Sequence, residues 1–530
     1  MISKIVIQNF KIFDNFSLEL NEDINIIVGD NESGKSTILE AINLALTRKI
    51  NGRPIEVELS PFYFNKKCVN AYFNALKNSE NPPLPKVIIE LYFTEREDLA
   101  FLMGANNLDK TNDVGVKLEI VFNDDHKDEY EKIISQKDEL KVIPAEYYKI
   151  NWYSFANNSI SSRNLPINCS YIDATTIRLQ SGTDYYLQNI INNGLSLKEK
   201  VELSFAYRQL KEKFSDLPSI KGINDNLTQR KGAITDKGLA ISIDISQKSS
   251  WETNLVPHLD ELPFQFIGKG EQSALKIMLA LERQATDSHV ILIEEPENHL
   301  SFASMNKLMD KIVDKCKGKQ IIATTHSAYV LNKLGLEKLI LVNCNNALFL
   351  KELSSDTYNY FKKLTGYDTL RLILAKKTIL VEGPSDELIV QKAFLLKYGK
   401  LPIHEGVDVI NVRGLSFARF LDIAKELEKD ILVITDNDGD YENKITKKYA
   451  SYKDIRTIKI SADNDNDLPT LEPQLVKHND IKLLNKIFDV AYSKSEDLID
   501  YMKNNKTECA LKLFETKEKI GLPKYIYDAV

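Results

Sequence analysis

The feature that most constrains the fold is a glycine-bounded segment near the N-terminus, with the sequence GDNESGKST at residues 29–37. It follows the apolar run at 24–28 and precedes a run with helical spacing at 37–46. A strand, such a loop and a helix, in this order, form a phosphate-binding loop, because backbone N–H groups and the positive end of the helix attract phosphate. We expect Lys35 to reach the β- and γ-phosphates of a nucleotide and Ser36 to hold Mg²⁺.

Composition restricts the class of protein. With 530 residues, 43% apolar and 27% charged, the chain is expected to form more than one globular domain. A net charge of −7 argues against a chain that is basic throughout, but it leaves room for a local basic groove. The five cysteines are scattered without a C-x-x-C pair, which predicts a reducing, cytoplasmic location and no structural zinc. No signal peptide or membrane-spanning run is predicted.

The pattern of apolar residues predicts an α/β chain in which two parallel-sheet domains follow one another. We predict a nucleotide-binding domain formed by residues 1–174 and 251–370, interrupted by a helical insertion at 175–250. From residue 376 to 530, an alternation of strands and helices predicts a second, smaller domain with a parallel sheet. The strands predicted in the first domain lie at 5–7, 16–20, 24–28, 87–91, 116–122, 290–293 and 320–323, and the helices predicted in the insertion lie at 187–214 and 220–238.

The helical insertion has two possible roles. Its apolar stripes either pack within the chain or are buried against a second copy, as a helical hairpin can do. The sequence leaves both readings open.

Acidic and polar residues follow two further strands of the first domain. Glu294 and Glu295 close the apolar run at 290–293, and His326 lies just after the run at 320–323. A carboxylate at the end of a strand can join the Mg²⁺ shell, here Glu294, and the next one, Glu295, can orient and deprotonate water. His326 is placed to contact a γ-phosphate. Without the phosphate-binding loop, the glutamate pair would equally fit the start of a helix, since Pro296 is a good first helical residue.

These motifs together resemble the ATPase head of the ABC class, in its SMC/RecF-like branch. The resemblance implies that Asp30, Asn31, Gly34, Lys35, Ser36 and Thr37 bind ATP, and that two heads enclose it. Gly270 and Gln272, which precede a helix predicted at 273–283, would then face Lys35 of the other chain. Two positions depart from the usual pattern, because Lys269 stands where serine is usual and Glu294 where aspartate is usual. No long heptad pattern predicts a coiled-coil arm.

A group of carboxylates characterises the C-terminal domain. Glu382 and Asp386 flank a predicted turn after the strand at 378–381, with a helix predicted from 387 to 398, while Asp436 and Asp438 follow the strand at 431–435. Loops at the carboxyl ends of parallel strands converge, so these side chains are expected to lie together. Four carboxylates repel one another unless divalent cations neutralise them, which predicts a two-metal Mg²⁺ or Mn²⁺ site.

These acidic residues have two alternative interpretations. An EF-hand is excluded, because a calcium-binding loop needs glycine at its sixth position. If Asp436 is counted as position 1 of such a loop, Gly439 is at position 4. The acidic segment at 463–467 lacks this glycine too and is read as a solvated loop. A simple Asx turn at Asp436 and Asp438 is the remaining alternative.

The C-terminal pattern resembles the Toprim domain, and a head of this ABC branch followed by Toprim is the layout of the OLD (overcoming lysogenization defect) family, which has a defence-related relative in the Gabija nuclease subunit. The resemblance implies an ATP-binding, metal-dependent DNA endonuclease. It also implies Glu472 as a further metal ligand and Lys506 as a cation beside the phosphate, although a lysine at a helix end is often only solvated.

The expected partners are DNA, a second copy of the chain and, by the Gabija resemblance, a helicase-type protein. A basic rim for DNA is expected from Lys376, Lys377, Arg413, Arg419, Lys444, Lys447 and Lys448, each of which could equally be a solvated charge. Two rival functions stay open. A RecF-like DNA clamp would use the head without the acidic group, and a topoisomerase would need a nucleophilic tyrosine on a further domain, for which ~150 residues leave little room.

Overall fold

The computed structural model describes residues 1–50, 52–78, 80–134, 142–161, 164–173, 179–180, 183–184, 195–229, 239–243, 251, 256–282, 288–315, 317–343, 346–350, 353–363, 369–413 and 416–530. The chain separates into two compact units. The first consists of residues 1–27, 31–325 and 342–346, and the second of residues 28–30, 326–341 and 347–530.

The elements up to residue 325 are nearly all in the first unit. Its strands are β1 (Ile2–Phe10), β2 (Phe13–Glu19), β3 (Ile24–Val28), β4 (Lys49–Ile50), β5 (Arg53–Pro54), β6 (Val87–Phe93), β7 (Met103–Gly104), β8 (Asp113–Phe122), β9 (Tyr148–Ser154), β10 (Ile167–Asp173), β11 (Leu179–Gln180), β12 (Thr183–Asp184), β13 (His258–Leu259), β14 (Leu262–Pro263), β15 (Ser288–Glu294) and β16 (Lys319–Thr324). Its helices are α1 (Lys35–Thr47), α2 (Ile55–Glu58), α3 (Lys66–Lys77), α4 (Lys127–Ile134), α5 (Leu197–Asp216), α6 (Pro218–Gln229), α7 (Lys269–Glu282) and α8 (Phe302–Lys315).

Two sheets organise the first unit. One is antiparallel and joins β2, β1, β6 and β8 in that order, with β7 and β9 also paired to β8. The other contains the parallel series β10-β15-β16-β3. The strand of the phosphate-binding loop, β3, is apolar and buried along its whole length, as expected for a parallel strand covered on both faces. This series brings the carboxyl ends of β15 and β16 to the edge at which the phosphate-binding loop begins.

The later elements belong mainly to the second unit. They are α9 (Ala328–Leu334), β17 (Leu339–Asn343), β18 (Asn346–Phe349), α10 (Ser355–Lys363), α11 (Thr369–Leu374), β19 (Lys377–Val381), α12 (Pro384–Tyr398), β20 (Val407–Asn411), α13 (Phe417–Glu426), β21 (Asp430–Ile434), β22 (Ile458–Ser461), α14 (Leu471–His478), α15 (Ile481–Phe488), α16 (Ser495–Asn504), α17 (Lys506–Glu515) and α18 (Lys524–Tyr527). Four of the strands form a parallel sheet in the order β20-β19-β21-β22.

The α/β fold class predicted from the sequence is confirmed in both units, but some elements differ. Strands β9 and β10 were not predicted, because polar residues interrupt their apolar runs. Helix α5 begins at Leu197, where Ser196 caps it by accepting a hydrogen bond from the Glu199 N–H. The start of the predicted helix at 187–194 and the end of the predicted helix at 230–238 lie outside the described residues. In the described part of the chain, no helix is both long enough and apolar enough to cross a bilayer.

Candidate functional site

The phosphate-binding loop ends at a glycine that no other residue can replace without strain. Gly34 has φ +101°, and a Cβ there would lie 2.4 Å from Cζ of Phe13. Helix α1 starts directly afterwards at Lys35, whose side chain is buried. The N-terminus of this helix therefore lies at the end of the loop, which is the placement that phosphate binding requires.

Glu294, at the end of β15, is held by two hydroxyl groups. Ser36 Oγ donates to its Oε1, and the Tyr171 hydroxyl donates to its Oε2 at 2.6 Å. Burial raises the pKa of the Glu294 carboxyl, and the two hydroxyl donors act in the opposite direction. A carboxylate and a serine hydroxyl in direct contact form an oxygen donor pair that suits Mg²⁺. Glutamate thus reaches the loop serine from the position where aspartate is usual.

Glu295 occupies a strained backbone position. Its φ is +46°, and its N–H donates to the Thr324 carbonyl at 3.1 Å, while its Oε2 accepts from Asn298 Nδ2 at 2.6 Å. A non-glycine residue in this region costs about 1–3 kcal/mol and is often found at functional sites. The role of Glu295 in orienting water stays a prediction, as does the contact of His326 with a γ-phosphate.

The segment that carries Gly270 and Gln272 serves packing within its own chain. Helix α7 begins at Lys269 instead of at 273, so both residues lie in its first turn. Gln272 is 2% exposed, and its Nε2 donates to the carbonyls of Phe264 and Ile267, each at 2.8 Å. A Cβ at Gly270 would lie 2.2 Å from the carbonyl oxygen of His299. This placement does not support a contact of Gln272 with a partner's nucleotide, which stays a prediction.

Sequence reasoning missed two residues on β10 that face this site. The parallel register places Asp173 beside Glu294, and Tyr171 contacts the same carboxylate. Their spacing of two, within a strand, places both side chains on one face. Tyr171 and Asp173 could have been predicted only if residues 167–173 had been recognised as a strand.

In the second unit, Glu382 and Asp436 meet at the carboxyl edge of the parallel sheet. Glu382 follows β19 directly, Asp436 lies two residues after β21, and these strands are neighbours. The Asp436 N–H donates to Glu382 Oε1 at 3.3 Å, and Thr435 Oγ1 donates to the same oxygen. The prediction that distant stretches bring their carboxylates together is consistent with this geometry.

Asp386 lies inside a helix and not in a turn. Helix α12 begins at Pro384, three residues before the predicted start, and the Gly383 N–H donates to Asp386 Oδ2 at 3.1 Å. Burial, followed by the charge of Glu382, raises the pKa of Asp386 to about 6. The carboxylate therefore shares the electrostatic environment of Glu382.

Glu472 and Lys506 complete the cluster. Glu472 is 4% exposed in the first turn of α14, and Lys506 Nζ, at the start of α17, lies 3.4 Å from its Oε1. Burial raises the pKa of Asp436 to about 8, with further increases from the charges of Asp386, Glu382 and Glu472. The positive charge of Lys506 therefore offsets only part of the negative charge that the four carboxyl groups would carry when ionised. We call Glu382, Asp386, Asp436 and Glu472 the carboxylate cluster.

Asp438 lies at the exposed rim of this cluster. Its φ is +49°, its side chain is 54% exposed, and its Oδ2 lies 3.4 Å from Lys444 Nζ. The structure therefore separates Asp438 from the buried carboxylates with which the sequence grouped it. Glu472 forms its ion pair with Lys506, and Asp438 forms its ion pair with Lys444.

The side chains of the carboxylate cluster offer the oxygen ligands that divalent cations prefer. Among the described residues, no three carboxylate, histidine or cysteine side chains form a ready metal-binding group. Several carboxylates instead accept hydrogen bonds from the chain, such as Glu382 from Thr435 and Asp386 from Gly383. The half-buried carboxyl groups of Asp386 and Asp436, whose pKa values are raised, nevertheless offer oxygen ligands of the kind that Mg²⁺ or Mn²⁺ would neutralise.

The fold and the two sites define an ATPase domain joined to a parallel-sheet domain with a carboxylate cluster. Residues 24–332 match the family described as "AAA domain, putative AbiEii toxin, Type IV TA system", and the chain belongs to this family. Residues 373–438 match "Overcoming lysogenization defect protein-like, TOPRIM domain". The resemblance to OLD-family proteins inferred from the motifs is thereby confirmed, and the domain pair is that of a nuclease with an ATPase domain.

Individual relatives are distant. The chain is 22% identical over 344 residues to an ATP/GTP phosphatase of Helicobacter pylori, covering 62% of this chain and 85% of the relative. A structure of the recombination mediator protein RecF with ATP is 12% identical, with 66% of this chain and 98% of that chain covered and a TM-score of 0.33. The SMC head domain from Thermotoga maritima is 14% identical, with 66% and 98% covered and a TM-score of 0.29. With TM-scores below 0.5, these two structures carry no functional conclusion.

Proposed function

We propose that the protein is an ATP-binding DNA endonuclease that uses Mg²⁺ or Mn²⁺ at the carboxylate cluster and is regulated by nucleotide at the ATPase domain. The observation that carries this proposal is the convergence of Glu382, Asp386, Asp436 and Glu472 at one sheet edge with Lys506 as the adjacent cation. Four carboxyl groups held this close together, with Glu472 buried and the other three half-buried, are costly unless they bind cations. The match to the TOPRIM family supports the same chemistry.

The residues have separate roles in this proposal. Glu382, Asp386, Asp436 and Glu472 would hold the cations, with Asp438 joining from the rim, and Lys506 would offset negative charge that develops on the scissile phosphate. Bound cations would supply activation of water and stabilisation of the leaving oxygen. In the ATPase domain, Lys35 would bind the nucleotide phosphates, while Ser36 and Glu294 would hold its Mg²⁺.

The proposed assembly is a homodimer that includes the helical insertion. Leu197, Val201 and Phe205 recur every four residues on α5 and are 83%, 67% and 63% exposed. Such an exposed stripe is unusual unless a partner covers it. The proposed setting is the cytosol, in anti-phage defence, with a helicase-type partner.

The proposed DNA contacts lie on the basic residues of the second unit. Among them, Arg419 is half-buried, and its Nη1 donates to Thr357 Oγ1 at 2.8 Å. Lys444 pairs with Asp438 beside the carboxylate cluster. Lys444 is therefore the better placed of the two to meet a DNA backbone near the cleavage site.

A nicking assay tests the nuclease assignment. Supercoiled plasmid is incubated with the protein and Mg²⁺ or Mn²⁺, with and without ATP. We expect nicked or linear product, lost in Glu382→Ala and in Asp436→Ala but kept in Asp467→Ala, which removes an exposed carboxylate of the same domain. Normal nicking by Glu382→Ala and Asp436→Ala would show that the site is assigned wrongly.

The same assay tests regulation by nucleotide. Lys35→Ala should abolish ATP binding and the effect of ATP on nicking, while Lys67→Ala, an exposed lysine of α3, should leave both unchanged. An unaltered response to ATP in Lys35→Ala would contradict the regulatory role.

A RecF-like DNA-binding ATPase without nuclease activity is the second candidate. It is favoured by the absence, in the described ranges, of a ready three-ligand metal group. DNA binding without any product across a full Mg²⁺ and Mn²⁺ titration would select it.

A further inference from the structure

The segment after α17 is anchored to the rest of the second unit by side chains that bind its backbone. Five such hydrogen bonds are Lys392 Nζ to the Thr516 carbonyl (2.7 Å), Asn479 Nδ2 to the Gly521 carbonyl (2.8 Å), the Gly521 N–H to Asn479 Oδ1 (2.7 Å), Ser461 Oγ to the Tyr525 carbonyl (2.6 Å) and Lys397 Nζ to the Val530 carbonyl (2.7 Å). Lys392 Nζ also donates to the carbonyl of Phe514, in the last turn of α17, at 2.9 Å. A chain end is usually poorly ordered unless it is tied down in this way. The segment is therefore held in one position.

Its close fit is visible at Gly521. A Cβ at this position would lie 2.3 Å from the carbonyl oxygen of His478, at the end of α14. The same helix carries Glu472 in its first turn. The segment is thus packed against an element of the carboxylate cluster.

This anchoring places one side chain in the cluster. The hydroxyl of Tyr525 lies 3.4 Å from Oδ1 of Asp436. The carbonyl of the same residue is fixed by Ser461, the last residue of β22, and β22 pairs with β21, the strand that leads to Asp436. Both the backbone and the hydroxyl of Tyr525 are therefore positioned by the edge of one sheet.

Tyr525 supplies a neutral hydrogen-bond donor, which the carboxylates around it cannot supply when ionised. Asp386, Glu382 and Glu472 all disfavour charge on Asp436, whereas a phenol hydroxyl is a neutral donor. A phenol keeps its proton at neutral pH, so the Tyr525 hydroxyl can donate to a carboxylate oxygen. A distance of 3.4 Å is long for an O–H···O bond, and contacts in active sites commonly shorten when the ligand is bound.

We propose that Tyr525 is a positioning residue of the carboxylate cluster: its hydroxyl donates to Oδ1 of Asp436 and turns that carboxylate toward a divalent cation. The inference rests on the proposed metal-dependent function. It adds the segment at 516–530 to the elements that build the metal site, because the anchored segment sets the position of the donor.

The test compares Tyr525→Phe with Tyr527→Phe. Tyr527 lies on the same short helix, α18, and is 38% exposed, so its variant controls for the loss of a phenol hydroxyl in this segment. The measured quantity is the dissociation constant for Mn²⁺ alone, from the electron paramagnetic resonance signal of free Mn²⁺, together with the melting temperature of the metal-free protein. No DNA is needed.

We expect Mn²⁺ to bind Tyr525→Phe about threefold to tenfold more weakly, as the loss of one hydrogen bond to a ligand predicts, and to bind Tyr527→Phe like the parent protein. An unchanged Mn²⁺ affinity in Tyr525→Phe, or an equal loss in both variants, would overturn the proposal. If Tyr525→Phe does not fold, Ser461→Ala is the substitute, because it frees the Tyr525 carbonyl and keeps the phenol. Weaker Mn²⁺ binding is again expected, and unchanged binding would count against the proposal.

The outcomes separate this inference from the nuclease assignment. A parent protein that binds Mn²⁺ but never nicks DNA would refute the endonuclease and leave the Tyr525 comparison valid. A parent that nicks DNA, with Mn²⁺ affinity unaffected in Tyr525→Phe, would refute only the role of Tyr525. A parent that binds no Mn²⁺ would refute both.

Discussion

The backbone N–H of Asp436 donates to the side chain of Glu382 at 3.3 Å, although the two residues are 54 positions apart in the chain. The contact exists because β19 and β21 are parallel neighbours whose carboxyl ends reach the same edge. An arrangement of this kind places acidic groups from separate loops beside one another, as in other open parallel sheets that bind ligands at this edge.

The metal-free protein should lose stability as the pH rises toward 8. The pKa of Asp436 is raised from 3.8 to about 8 on folding, so between these values the folded chain holds a proton that the unfolded chain has released. Stability from this group is therefore greatest in acid and declines through this range. Asp436→Asn removes the dependence, and we expect it to raise the metal-free melting temperature at pH 8 by roughly 2–4 °C.

Thermal unfolding with and without Mn²⁺ checks this prediction. Mn²⁺ should stabilise the parent protein more at pH 8 than at pH 6 and should have little effect on Asp436→Asn. Asp467→Asn, at an exposed position, should behave like the parent. A lower melting temperature for Asp436→Asn at pH 8 would show that the ionised carboxylate is stabilising.

Gly34→Ala should disable the phosphate-binding loop. Its φ of +101° and the 2.4 Å approach to Phe13 leave no room for a methyl group, so the loop must move, at a strain cost of about 1–3 kcal/mol. We expect ATP affinity to fall about tenfold or more, measured by titration calorimetry. Gly222→Ala is the matched control, because nothing lies within 4 Å of its Cβ position, and it should bind ATP normally.

Gly270→Ala should destabilise the protein even without nucleotide. A methyl group would lie 2.2 Å from the His299 carbonyl, which is backbone and cannot move aside easily. Overpacking of this kind typically costs about 1–3 kcal/mol. Gly268→Ala, with nothing within 4 Å, should keep its melting temperature. Equal melting temperatures for both variants, combined with lost ATP response only in Gly270→Ala, would instead favour the nucleotide role predicted from the sequence.

Ser36→Ala should weaken binding of Mg²⁺–ATP more than binding of ATP without metal. The serine hydroxyl contacts Glu294, and together they offer the oxygen donors for the cation. We expect a loss of about tenfold in Mg²⁺ and a much smaller one in EDTA, since charge-assisted contacts contribute ~1.5–3 kcal/mol. Equal losses in both buffers would indicate that Ser36 acts on the phosphates or on the fold.

Phe205→Glu should convert a dimer into a monomer. The side chain is 63% exposed in the middle of the apolar stripe of α5, and a charge there would be buried unpaired if a second copy covered it. Light scattering after size-exclusion chromatography gives the mass directly. Phe62→Glu places the same charge at a residue that is 80% exposed elsewhere in the first unit, and its mass should match the parent's. A parent that is already monomeric would contradict the proposed assembly.

Several parts of the site were predictable because local chemistry requires them. A phosphate-binding loop needs the glycine and the lysine that stand here at positions 34 and 35. The strand β3 and the helix α1 were predictable from apolar runs of suitable length. The proximity of Glu382 and Asp436 was predictable, since the alternation of strands and helices in this region predicts a parallel sheet, and both residues follow strands of that sheet. Both domain matches agree with these expectations.

Other parts follow only from contacts between residues far apart in the chain. No pattern in the sequence indicates that Tyr171 binds Glu294, that Tyr525 reaches Asp436, or that Asp438 is left at the rim. The sequence places Gln272 where it could contact a nucleotide, whereas in the structure its side-chain amide donates to the carbonyl of Phe264.

The two kinds of chemistry in this protein follow from its amino-acid order alone, because a phosphate-binding loop and strand-end carboxylates depend on residues that are neighbours in the chain. Which side chains surround each carboxylate depends instead on the folded arrangement of the chain. That outcome depends on strand order and on the anchoring of the segment at 516–530, which are set by packing between segments that are far apart in the sequence.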